Sequence, residues 1–117
     1  MCAHHELCFG CGLANVFGLH LDARVGPGGL TGRFFVKQDH QGADGSLHPG
    51  VLAAALVEAL SLAGGAELSL RHVDLELIAA APVGTFVSLK ADVGEGRPVA
   101  RAYGEDGHVV GVAHSGG

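Results

Sequence analysis

The chain has 117 residues, of which 48% are hydrophobic and 5% aromatic with no Trp, so one domain (1–117) with a core of Val, Leu and Ala is expected. A formal net charge of −5 with His neutral excludes a general nucleic-acid binder, which needs a basic face, although two or three local Arg or Lys residues suffice for one phosphorylated small molecule. No apolar run reaches membrane-spanning length, no basic-then-apolar leader opens the chain, and three cysteines define no disulfide framework, so a cytoplasmic protein with reduced thiols is expected.

Leu19, Leu21, Ala23 and Val25 alternate with His20, Asp22 and Arg24, which reads as a strand with one buried face. Gly26-Pro27-Gly28-Gly29 is a turn, and Leu30 to Lys37 is a second strand with Phe34 and Val36 on one face, pairing with the first as a hairpin. A polar loop runs from Gln38 to Leu47. Pro49 then stands where a first helical turn tolerates a missing N–H. Val51 to Ala63 is apolar almost all round, which predicts a buried helix, ended by Gly64 and Gly65.

Four strands are expected after the helix. Leu68 to Ile78 alternates with a phase slip near Arg71 and His72, read as a bulge. Val87, Leu89, Ala91 and Val93 share one parity, with a turn at Gly94 to Gly96 behind them. Val99 to Tyr103 is a strand, Glu105-Asp106-Gly107 a hairpin turn, and His108 to His114 the last strand. One apolar helix on a sheet is an α+β architecture. One helix covers only one sheet face, so a homodimer joined edge to edge, or a homotetramer built from dimers, is the physical expectation.

Several motifs occur in a fixed order. Cys8-Phe9-Gly10-Cys11-Gly12, Asn15 and Gly18-Leu19 resemble a C-F-x-C-G-x-x-N-P-x-G-L opening, with Val16 in the place of Pro. His40-Gln41-Gly42 followed by Leu47-His48-Pro49-Gly50-Val51-Leu52-Ala53 resembles an H-Q-G…H-G-G-V-L-A loop and helix start. Glu58-Ala59 resembles the end of a D-E-A segment; Pro82-Val83-Gly84 and Asp106-Gly107 fit later strand junctions. From about residue 8 onward the chain therefore resembles the hotdog-fold acyl-CoA thioesterase superfamily, in its PaaI-like subgroup. The resemblance implies an antiparallel sheet wrapped around one buried central helix. It also implies an acyl-CoA or other acyl-thioester held at a dimer interface and hydrolysed to an acid and a thiol.

Thioester hydrolysis needs a donor for the nascent oxyanion and a carboxylate that activates water or attacks. The resemblance assigns the donor to the Gly50 N–H at the helix start, with His48 beside it, and a substrate-contacting loop to His40, Gln41, Gly42 and Asn15. Pro49 replaces the first Gly of H-G-G and has no N–H to offer. The motif carboxylate falls nine residues after His48, at Val57, which can do no acid–base chemistry. A polar residue six before the His is replaced by Gly42. Glu58, the only charged residue between Pro49 and Ala66, is either a displaced general base or a paired carboxylate; Asp44 is the other candidate. His48 either contacts substrate or caps the helix. If no carboxylate reaches the thioester, the chain is a non-catalytic acyl or acyl-CoA binder.

His4, Cys8 and Cys11, with His5 alongside, have the spacing of a zinc site, and plain thiols are the alternative; no other cofactor is implied. A zinc site drawn from so short a segment would lack a ligand from elsewhere in the chain.

Overall fold

The computed structural model describes residues 5–64, 72–92 and 98–115. Six strands and one long helix follow the expected order: β1 Asp22–Gly26, β2 Gly29–Phe35, α1 Pro49–Gly64, β3 Val73–Leu77, β4 Phe86–Asp92, β5 Val99–Tyr103 and β6 Val109–Ser115. The strands form one antiparallel sheet in the order β1-β2-β4-β5-β6-β3. Helix α1 packs on β2 through β6.

Alternation explains the sheet's inner face. Leu30 and Phe34 of β2, Val87, Leu89 and Ala91 of β4, Ala100 and Ala102 of β5, and Val110 and Ala113 of β6 are buried. They meet Leu52, Ala55, Leu56, Ala59 and Leu60 of α1. Alanines on both partners let the helix lie close to the sheet. At Gly111 a side chain would press on Leu56 and Leu52, at 3.1 and 3.2 Å. From Val51 onward no residue of α1 is exposed, as its all-round apolarity predicts.

The differences from expectation are local. β1 starts at Asp22 instead of Leu19 because His20 has φ 51°, outside the extended region, and its Nε2–H donates to the Asn15 carbonyl at 2.6 Å. Leu19 and Leu21 are buried nonetheless, whereas Val25, expected on the buried face, is 63% exposed on an edge strand. β6 begins one residue late because Asp106 Oδ1 accepts the His108 N–H and holds His108 in the turn. A register shift occurs between Ala102 and Tyr103. The phase slip at Arg71, the turn at Gly94 to Gly96 and Val93 lie outside the described residues.

β1 and β3 are the sheet edges. On β3 both faces are open: Asp74 and Glu76 are exposed on one, Leu75 and Leu77 on the other, and Ile78 beyond it is 53% exposed.

Candidate active site at the start of the central helix

Residues 38–50 form a tight connection between β2 and α1. A single 3-10 turn, Gln38–His40, leads into the loop. His40 is 3% exposed, and its Nε2–H donates to the Phe17 carbonyl at 2.8 Å. Its main-chain carbonyl accepts the His48 N–H at 2.8 Å, and the Phe9 ring packs edge-on against its ring. Gln41 Oε1 accepts the Gly45 N–H at 2.8 Å across the loop. Isolated bridges Gln41–Leu47 and Ser46–Pro82 close the loop and tie it to the β3–β4 connection.

Gly42 backs directly onto His48: a Cβ there would stand 2.8 Å from the His48 Cα. The loop therefore has no room for the polar side chain that the resemblance places at this position. His48 is the residue preceding α1. Its carbonyl accepts the Val51 and Leu52 N–H groups at 2.9 and 3.1 Å, and its Nδ1 accepts the Gly50 N–H at 2.8 Å. Of the two readings for His48, the structure displays the cap. The Gly50 amide, in an exposed residue at the helix mouth, is thus turned to the His48 ring.

Val57 lies seven residues, or nearly two turns, after Gly50 and so on about the same side of α1; Glu58 lies roughly 80° round and about 12 Å along the axis. The carboxylate of Glu58 faces the N-terminal segment, where the Cys8 Sγ stands 3.7 and 4.0 Å from its two oxygens. Gly10 crosses this carboxylate so closely that an added Cβ would lie 2.7 Å from Oε1. Asp44 is exposed at the loop tip, between Ala43 and Ser46. Asn15 acts inside the N-terminal segment: Nδ2–H donates to the Leu7 carbonyl at 3.1 Å and Oδ1 accepts the Phe17 N–H at 3.0 Å. Lys37, which sequence reasoning passed over, clamps the same segment to β2 by donating to the Val16 and Gly18 carbonyls at 3.3 and 2.8 Å.

Beside the helix mouth is a groove of about 320 Å³, lined by Ser46, Leu47 and Pro49, by Leu52, and by Leu77 to Ala81. Its volume falls at the low end of small-molecule sites, about 300–1,000 Å³. Ala43 and Ser46, which flank Asp44-Gly45, border it. Sequence reasoning missed this wall; its signal is the run Ala79-Ala80-Ala81, small side chains where a strand leaves the sheet.

Of the expected metal ligands, Cys8 and Cys11 come together with Glu58, their ligand atoms all within 4.8 Å of one another. Cys8 carries a thiol, whereas Cys11 takes part in a disulfide, contrary to the expectation of reduced thiols. His4 lies outside the described residues.

Neither a protein-family model nor a curated protein matches the chain. Solved structures do. Zebrafish thioesterase superfamily member 2 superposes with a TM-score of 0.69 at 18% identity, over 82% of this chain and 81% of that one. The Escherichia coli PaaI protein of the phenylacetic acid degradation operon gives 0.73 at 14% identity, over 82% and 80%. A hypothetical thioesterase from Streptococcus pneumoniae, solved with coenzyme A, gives 0.68 at 13% identity, over 80% and 83%. Strand order, the single central helix and these superpositions together make the chain a hotdog domain, the fold it shares with structures of the thioesterase superfamily.

Proposed function

We propose that this chain takes an acyl-thioester, with the acyl group in the groove and the thioester carbonyl at the start of α1, and hydrolyses it. The observation that carries the reading is the apolar groove opening at the mouth of a buried helix, where main-chain N–H groups and the helix dipole favour a developing negative charge. In the reaction a carboxylate takes a proton from water and the hydroxide attacks the carbonyl carbon. The oxyanion draws on the Gly50 N–H, which passes from His48 Nδ1 to the substrate oxygen. Collapse expels the thiolate, which is protonated to the free thiol. With Glu58 turned to Cys8, we take Asp44, next in sequence to the groove-lining Ala43, as the better candidate carboxylate.

The edge strand β3 supplies the outer wall of the groove through Leu77. Exposed Leu75, Leu77 and Ile78 on this edge strand support a dimer joined along β3, and coenzyme A as the carrier follows by analogy with the Streptococcus protein.

One observation favours a second reading, binding without turnover: Val57 occupies the face of α1 in line with Gly50 and has no acid–base group. Turnover of a panel of acyl-CoA esters of graded chain length, run with Asp44→Ala, separates the two. The hydrolase reading expects turnover above the solvent rate and a loss of about 10²-fold in Asp44→Ala. Saturable binding with no turnover on any ester sinks it in favour of the second.

A further inference from the structure

The groove and helix mouth leave Glu58 and the N-terminal cysteines without a role. We propose that the reduced chain binds a zinc-class divalent ion between its N-terminal segment and α1, through the Cys8 and Cys11 thiolates and the Glu58 carboxylate. The three ligand atoms lie within 4.8 Å of one another. Tetrahedral zinc, with Zn–S near 2.3 Å and Zn–O near 2.0–2.2 Å, sets its ligand atoms roughly 3.3–3.8 Å apart, so the cluster has to tighten by about 1 Å. The Cys8 Sγ and one Glu58 oxygen are already 3.7 Å apart.

Chemistry narrows the ion. Two thiolates and one carboxylate suit zinc, and disfavour magnesium and calcium, which take oxygen ligands. Burial favours it as well: Cys11 is 2% exposed, while Cys8 and Glu58 are half-buried, so the ligands are largely dehydrated and still reachable. Glu58 also supplies what the Cys-x-x-Cys segment lacks by itself, a ligand from elsewhere in the chain, fifty residues on from Cys8. The absence of a side chain at Gly10 lets the segment approach the carboxylate that closely. Three protein ligands leave one coordination position for water or a further side chain.

The disulfide at Cys11 makes the site conditional on redox state. A phosphine or dithiol reductant supplies the two electrons that cleave the S–S bond, and the two sulfurs take up protons as thiols. Metal binding then displaces the Cys8 and Cys11 thiol protons, two per ion. The bound ion would pin the lead-in to β1 onto α1, where Leu19 and Leu21 already donate to the Phe9 and Gly10 carbonyls at 2.6 and 2.8 Å.

The test uses the full chain, kept in a phosphine reductant, with thiols counted, and titrated with zinc against a chromophoric chelator and separately with cobalt(II). One equivalent of zinc, a sulfur-to-cobalt charge-transfer band and a raised melting temperature are expected. Cys8→Ser and Glu58→Gln each weaken zinc binding by at least about tenfold, and His108→Ala leaves it unchanged. Substoichiometric zinc on the folded, reduced chain overturns the proposal, as does unaltered binding in folded Cys8→Ser. Should either variant fail to fold, a cobalt spectrum of the parent chain without the sulfur band overturns it equally. So does equal uptake by the oxidised chain.

Discussion

Gly42 and His48 are fitted to each other, and both residues lend themselves to direct measurement. Because a Cβ at residue 42 meets the His48 main chain, which cannot swing away like a side-chain end, Gly42→Ala should destabilise the fold by about 1–3 kcal/mol, read as a lower urea midpoint. His48→Ala removes the ring that accepts the Gly50 N–H and should cost about 1 kcal/mol by the same measurement. If the ring only caps, turnover per folded molecule stays level or rises, since the Gly50 amide is released to the substrate. The roles of these residues were only half legible in the sequence. That Gly42 and His48 belong near the helix start could be read from spacing. That Gly42 is there for want of space, and that Glu58 faces Cys8, could not, because both depend on contacts between segments that no periodicity encodes.

At the scale of elements, α1 and β4 were legible for opposite reasons. The helix is apolar almost all round, Glu58 and Ser61 excepted, and none of it from Val51 onward is exposed, while β4 alternates strictly because one of its faces stays in water. β1 was read too long since nothing in Leu19-His20-Leu21 announces a positive φ at His20. Helix geometry also carries a prediction about catalysis. Val57→Asp restores a carboxylate on the side of α1 that Gly50 begins, at a half-buried position that tolerates charge better than the core. We expect hydrolysis of the preferred acyl-CoA to rise by about 10²-fold, measured as kcat/KM. An unchanged rate would mean that this face of the helix does not meet the thioester.

Across the whole molecule, the apolar surface is unevenly spread. Leu75, Leu77 and Ile78 are exposed together along β3, which is an edge of the sheet among the described residues. The proposed dimer joined along β3 predicts that a Leu75→Lys/Leu77→Lys pair moves sedimentation velocity toward the monomer and lowers any acyl-thioester turnover with it, while sparing the melting temperature of the monomer. A dimer that survives the double change would rule out β3 as the joining edge. One helix on one sheet face is legible in the sequence; that β3 is an edge strand emerges only from strand order.

That strand order also bears on how the groove comes into being. Its lining residues fall between Ala43 and Ala81, yet the strand that holds β3 in the sheet is β6, Val109–Ser115, near the far end of the described chain. Ile78 and Ala79 likewise donate to the Val110 carbonyl. A nascent chain therefore carries every lining residue long before it has a groove, and this wall closes only when the last strand arrives to anchor it. Cutting the chain after Gly107 should accordingly leave the groove's sequence whole and abolish acyl-CoA binding. Recovery of ligand affinity during refolding should accordingly lag behind pairing of the β1–β2 hairpin, the kinetic form of the same dependence.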